Sequence, residues 1–541
     1  MKESSSVIWI ITKKEFLSHL LTFRLWAAVV LSLLLIPLCV YVSGQRYEEN
    51  LSTYNIQTQK YERELKDARV YSFVRPVVVR PPQVLSILCS GIESKVGSMV
   101  PIRFGTVPYL PTGQVHGREN PFLATFPSVD MVFILLIVIS LFSILLTYDA
   151  ICGEKEEGLL KQILTNSLLR NDILLGKYFG ALLVMLPLLA IVYLVSLLIM
   201  LSSTHVQLTS DHLARIGTLF VLTLVYSSVF VLMGLLISVR TSRSSISLML
   251  SLFIWVLIVL VVPNASFHIA DQIYPVPSVK TIDDTIAELE NERGQQFNEL
   301  RSQLPPEKFA VNLFYRGHSD GGIIVAGNPK ERYDHLLQQE RIDTKLRLEY
   351  AEKKGDVRRT YIDALVNQRR LGSWMSAVSP AFLFREVCEG VMGVGAYGYH
   401  DFMRQVRMYR LAVIQYLQAK RETDPYRYIT PDDPDQMMVL DDWVRHYTNG
   451  RYASFEALAS GRTVVELVRE FMKVFDRSKA THLSEELFSR VDLSDLPRFE
   501  FRSHSIESSM FLSLYPIAIL FLMNVVLFYL SHRSLVRYDA R

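Results

Sequence analysis

Six stretches of this chain run for eighteen or more residues without a formal charge and are filled with Leu, Ile, Val and Phe: 25–43, 131–148, 178–203, 216–239, 246–263 and 509–531. At 1.5 Å per residue each can cross a hydrocarbon layer of about 30 Å. Backbone groups in lipid must bond within their own segment, so each stretch is predicted to be a transmembrane helix. A soluble protein would need six unusually long buried helices with no polar face.

Between the spans the pattern changes. A polar helical run over 47–68 gives way to Val77-Val78-Val79, flanked by Arg75-Pro76 and Arg80-Pro81-Pro82, which predicts a short strand and turns after a helix. Over 279–304, Ile282, Ile286, Leu289, Phe297 and Leu300 recur at helical spacing and the run stops at Pro305-Pro306. Pro329 sits at a first-turn position for a second charged helix reaching about Arg370, so the pair reads as a solvated hairpin or stalk with a loop over 317–328. The stretch 374–394 is strongly apolar, suited to packing under the stalk or lying at a leaflet surface. Amphipathic spacing returns over 400–420 with Phe402, Val406, Tyr409, Val413 and Leu417; 423–442 reads as a Pro/Asp-rich linker, and helical patterns resume through Phe475.

Composition fits this picture. Of 541 residues half are hydrophobic and 21% charged, which excludes a disordered or collagen-like chain. A net charge of +3 gives no nucleic-acid-binding field. Lysine and arginine set the orientation. With a cytoplasmic N-terminus, thirteen of them fall on the cytoplasmic pieces: Lys2, Lys13, Lys14, Arg24, Lys155, Lys161, Arg170, Lys177, Arg240, Arg243, Arg533, Arg537 and Arg541. The short outer turn before the fourth span holds only Arg215. Both termini are therefore expected in the cytoplasm, and 44–130 and 264–508 outside. The first span follows a charged lead with no small-residue cleavage site and reads as a retained anchor. The fold class is thus an all-α polytopic membrane protein: an N-terminal amphipathic elbow helix (1–24), six transmembrane helices, a coupling element over 149–177, a large, mainly helical extracytoplasmic domain, and a tail over 532–541.

Catalytic and metal-binding signatures are missing. No G-x-x-x-x-G-K-[ST], H-E-x-x-H or G-x-S-x-G occurs, and the glycines of Gly153–Gly158 lack the following Lys-Ser or Lys-Thr. His335, His400, His446 and His504 are scattered, and Asp432-Asp433 and Asp441-Asp442 fall in a Pro-rich turn region, so all read as solvated or packed side chains. The four cysteines form no C-x-x-C; Cys89 and Cys388, both outside the membrane, can pair in an oxidising compartment, though no spacing requires it. No charge lies inside a span, which removes the usual signature of ion-coupled transport. Pro37, Pro187 and Pro516 are candidates for helix kinks, and Tyr226-Ser227-Ser228 and Asn524 for hydrogen bonds between helices.

Two cytoplasmic elements carry more information. Before the first span, Phe16, Leu17, Leu20 and Leu21 take one side of a helix and Lys14, Glu15, Ser18, His19 and Thr22 the other, as in a helix resting in the inner interface. Between spans two and three, Leu159, Leu160, Ile163 and Leu164 line one face of a short helix, and Asn171 can cap the helix that follows. A short amphipathic helix held between two spans can pass force from a soluble motor to both.

The run YDAICGEKEEGLLKQILTNSLLRNDILLGKYFG resembles the E-x-E-x-G-T-L signature of type-2 ABC exporter permeases. Its glutamates correspond to Glu154 and Glu156, its glycine to Gly158 and its last leucine to Leu160; Leu159 replaces the threonine, so no capping hydroxyl stands there. The segments RPPQVLSILCSGIES (80–94), SPAFLFREVCEGVMGVGAYGYHDF (379–402) and the closing LPRFEF and SLVRYDAR are similar to the subgroup with a large outer domain, including gliding-motility and nitrous-oxide-reductase maturation permeases. The resemblance implies a non-catalytic transmembrane subunit of the inner membrane that works with two copies of a separate ABC ATPase carrying the ATP and magnesium. It also implies a second permease chain, identical or paralogous, with spans one and five as interface candidates. Glu154, Glu156, Gly158, Leu159, Leu160, Ile163 and Leu164 are then the ATPase-coupling residues. Three functions stay open: export of a substrate, mechanical action on an extracytoplasmic protein partner, and a membrane scaffold or sensor without ATP coupling.

Overall fold

A computed structural model describes residues 2–91, 97–109, 129–165, 169–305, 317–319, 322–325, 329–430, 437–476, 481–483, 490–503 and 505–538. Among the described residues the chain is mainly helical, and six helices are long and apolar enough to cross a membrane. An elbow helix, Lys2–Leu20, begins well upstream of the amphipathic stretch seen in the sequence and ends before Leu21. The first span helix, Phe23–Lys66, does not stop at the membrane boundary: the apolar span and the polar run after it form one continuous rod with Pro37 inside. The others are Met131–Thr147, Arg170–Ser202, Ser210–Arg240, a fifth in three parts (Ser244–Val256, a π-helical turn Leu257–Val261, and Val262–Ile273), and Leu514–Val536. The second and fourth spans are the most enclosed, and the fifth and sixth the least.

Polar groups inside the bundle join helices, as the sequence suggested for Tyr226, Ser228 and Asn524. Tyr226 donates to the Leu136 carbonyl at 2.9 Å, and Ser228 donates to Asn524 Oδ1 at 2.6 Å. Pro516 falls in the first turn of its helix, where no upstream carbonyl is waiting for its missing N–H, so it needs no kink there. Asn171 lies inside the first turn of the third span helix, whose cap is Leu169.

At the end of the bundle away from the termini, the 374–394 stretch resolves into the close of a long helix and a plug helix, Pro380–Met392. The plug buries Leu383, Phe384, Val387, Cys388 and Val391 among the spans, with the Phe384 ring stacked on Tyr226 at 4.4 Å. It therefore belongs to the membrane core. Arg215, buried at the top of the fourth span, donates to the Val391 carbonyl at 2.5 Å, to Ser509 Oγ at 3.3 Å and to Asp211 at 2.6 Å. Cys89 and Cys388 are both buried free thiols.

The stalk helices are Val279–Ser302, with no buried residue, and Lys330–Ser376. What reads as their loop contains strands Gly317–Ser319 and Gly322–Val325, the latter pairing antiparallel with Thr481–Leu483. Val77–Val79 is a strand, paired in register with Met99–Pro101. Ala396–Thr423 buries Phe402, Val406, Val413 and Leu417 in a second core, where Arg80 lies under the Tyr399, Phe402 and Phe501 rings. The linker region also folds: Pro425–Ile429 and Leu440–Tyr447 are helices, with Asp441 and Asp442 in the first turn of the latter, where carboxylates suit the helix dipole. Asp432, Asp433 and His504 lie outside the described residues.

Candidate coupling site

The second span ends at Thr147, and the chain turns through 148–151 into a short helix, Cys152–Glu156. Gly158, at φ +75°, takes the left-handed conformation at the turn, in open space where an added β-carbon would meet no neighbour. A second short helix, Leu159–Thr165, follows. The connector thus consists of two helical pieces hinged at Gly158.

It is bonded to the elbow and to the first, third, fourth and fifth spans. Arg24, entering the first span, donates to Asp149 at 2.7 Å and lies over the Tyr148 ring. Ser238 Oγ in the fourth span accepts from both the Ile151 and Cys152 backbone N–H groups at 2.9 Å. Lys155 donates to the carbonyls of Val239 and Thr241 at that span's C-terminal end, a site where the helix dipole favours a cation. Glu156 accepts from the Ser244 backbone N–H at 3.1 Å, capping the fifth span, whose Ser247 donates to the Tyr148 carbonyl at 2.5 Å. Just past the connector, Arg170 donates to the carbonyls of Leu535, Val536 and Tyr538 at 2.8, 2.6 and 2.8 Å, gripping the end of the sixth span.

At the centre lies a buried ionic triad. Lys177 in the third span, its side chain 3% exposed, donates to Glu15 of the elbow at 2.9 Å and to Glu154 at 2.8 Å. Lys14 adds a solvated contact to Glu154 at 3.7 Å. Close approach makes this possible. Gly176 and Gly180 form a G-x-x-x-G face against the elbow, and a β-carbon at Gly176 would sit 2.5 Å from Ile11, one at Gly180 2.6 Å from the Glu15 β-carbon.

The residues singled out in the sequence divide by direction. Glu156, Gly158 and Leu159 (43% exposed) face outward with Glu157, Lys161 and Gln162, and Ile163 is half-buried. Glu154 turns inward to Lys177. Leu160 is fully buried among Ile151, Leu174, Val231, Val239 and Leu535, so it holds the connector to its own bundle. Adjacent helical residues project about 100° apart, which separates Leu159 from Leu160. The Leu164 side chain lies outside the described residues. Sequence reasoning passed over Glu15, Lys177, Ser238 and Arg170 as site members. The G-x-x-x-G around Lys177 was the available signal; the other pairings link positions too distant along the chain to be read.

The model of the ABC-2 family transporter protein matches residues 9–314, more than half the chain, and covers the elbow from residue 9 onward, the connector and the first five spans. A domain of unknown function (DUF3526) matches residues 341–502, from within the second stalk helix to the end of the outer core. No curated protein matches the chain. With its six candidate spans and a family match over more than half its length, the chain belongs to the ABC-2 transporter family, as a multi-pass membrane permease component.

Proposed function

We propose that this chain couples ATP hydrolysis on a separate ABC ATPase to movement of its own spans, with the outward surface Glu156, Gly158, Leu159 and Ile163 as the docking face. ATP and magnesium act on the partner, and this chain contributes no catalytic residue. The observation that carries the reading is the bonding of the connector. One face is exposed, while Asp149, Ile151, Cys152, Glu154 and Glu156 bond the connector to the first, third, fourth and fifth spans and Arg170 just beyond it holds the sixth, so a push on the exposed face displaces the bundle as a unit. The basic flanks support a cytoplasmic connector and cytoplasmic termini, and the reading takes the membrane to be the inner one. Two ATPases and two permease chains, identical or paralogous, make up the complex, with spans one and five, both largely lipid-facing in the single chain, at the dimer contact.

Export of a substrate is the leading output. Mechanical action on an extracytoplasmic partner is favoured by a second observation: the plug helix, the start of the outer domain's return, is built into the membrane core and clamped by Arg215, so span motion reaches the outer domain directly. The test is purification of the full chain with its native ATPase from membranes, comparing wild type with Gly158→Trp. Loss of ATPase association or of its ATP turnover, with the permease still folded, is the expected result. A Gly158→Trp complex that assembles and turns over ATP normally would leave only a scaffold.

A further inference from the structure

Away from the membrane, the first outer segment meets the stalk over a cavity of about 300 Å³. Its charge is one-sided. Arg75 and Arg103 enter from the first segment and Arg293, Arg347 and Lys354 from the stalk, while Glu290 is the single carboxylate in the lining. Asp343, just behind, accepts from Arg293 at 3.0 Å and from Arg347 at 2.5 Å. Glu290 accepts from Arg293 at 3.0 Å and from the buried Lys354. Two carboxylates thus fix three cations in place. Arg75 and Arg103 have no carboxylate partner among the described residues, so five cations against two carboxylates leave three positive charges uncompensated.

The backbone that presents Arg103 is held from beneath. Buried Arg410 donates to the carbonyls of Arg103 at 3.2 Å and Phe104 at 2.8 Å, and the Ile102 N–H donates to the Pro76 carbonyl at 2.8 Å. The cationic groups are therefore arranged before any ligand arrives. A concave wall of one sign over an apolar floor concentrates counter-ions, and guanidinium forks match the paired oxygens of phosphate and carboxylate.

We propose that this cleft binds a small multivalent anion carrying phosphate or carboxylate groups, held by Arg75 and Arg103 over the Arg293–Arg347–Lys354 set. The inference is independent of ATP coupling, and its test requires no ATPase. The full chain, in nanodiscs of neutral phosphatidylcholine, is titrated calorimetrically with inorganic tripolyphosphate and, in a second arm, with citrate, at fixed ionic strength. Saturable one-to-one binding is expected for one or both, and the arm that binds identifies the group recognised. The Arg75→Gln/Arg103→Gln variant should weaken it by about tenfold or more while leaving the unliganded unfolding midpoint unchanged. An Arg301→Gln/Arg359→Gln control, which removes two stalk charges outside the lining, should bind as wild type does. Absence of saturable binding in both arms, or equal weakening by the control pair, overturns the proposal. If the Arg75/Arg103 variant unfolds early, the single Arg103→Gln replacement gives the same reading.

Discussion

Replacing Lys177 with Met isolates what the buried triad contributes. The Lys177 ammonium lies 2.9 Å from Glu15 and 2.8 Å from Glu154, so without it two enclosed carboxylates face each other across no more than about 6 Å. Removing one partner of a buried ion set costs about 3–5 kcal/mol, because the charge left behind has neither water nor a counter-ion. Lys14, largely solvated at 3.7 Å, returns less than about 1 kcal/mol. A net loss near 3 kcal/mol corresponds to more than about a hundredfold rise in the undocked elbow population, at about 1.4 kcal/mol per decade. The assay is amide hydrogen exchange over the elbow helix and the connector, in the full chain in nanodiscs, since local opening reports this docking free energy. The Glu15→Gln/Glu154→Gln/Lys177→Met triple variant removes all three charges together, and its exchange should return to within about tenfold of wild type. A Lys177→Met change smaller than about threefold, or a triple variant as labile as the single, would refute the reasoning.

Three further outcomes follow from the same geometry. Leu160→Asp buries a charge in the connector's own core and should destabilise the isolated permease by more than the roughly 2–5 kcal/mol of a Leu→Ala cavity, whereas Leu159→Asp should leave its unfolding unchanged and act only on ATPase association; denaturation and co-purification of both variants check this. Arg215→Met leaves the Val391 carbonyl and Asp211 without their donor, and should loosen the plug helix by about 1–3 kcal/mol, read as faster exchange over Pro380–Met392. Burial pushes the Glu290 carboxyl up, but the hydrogen bonds from Lys354 and Arg293 outweigh it and hold the group below its ordinary 4.5. A depressed carboxyl contributes stability that is full above that ordinary value and lost as pH falls through the folded one. The stalk should accordingly loosen below about pH 4.5, a step that Glu290→Gln removes in an acid titration followed by hydrogen exchange.

The spans were legible because their signal is local: eighteen or more uncharged residues admit few other structures. The amphipathic spacing of Phe402, Val406, Val413 and Leu417 was legible for the same reason, and those side chains form the outer core. Continuity was harder to read. Nothing in the sequence marks whether the polar helix after the first span is a new element or the same one, and the only candidate break, Gly44, stays helical. The strand Gly322–Val325 escaped because one of its partners lies at Thr481–Leu483, more than 150 residues away in the chain, and the other, Gly317–Ser319, is only three residues long. The coupling motif showed where the connector lies but not which way its residues point, since Leu159 and Leu160 look alike in composition and differ only in the neighbours that Leu174, Val231 and Leu535 provide.

The unbroken first helix has a mechanical meaning. Phe23–Lys66 has 44 residues, about 66 Å of rod, of which a bilayer core covers about half. A twist applied at its Arg24 end, where Asp149 grips it, would travel along one helix to Tyr61, whose hydroxyl touches Met99 of the outer strand Met99–Pro101. In the proposed coupling, that helix would serve as a drive shaft, with Pro37 as a softened joint.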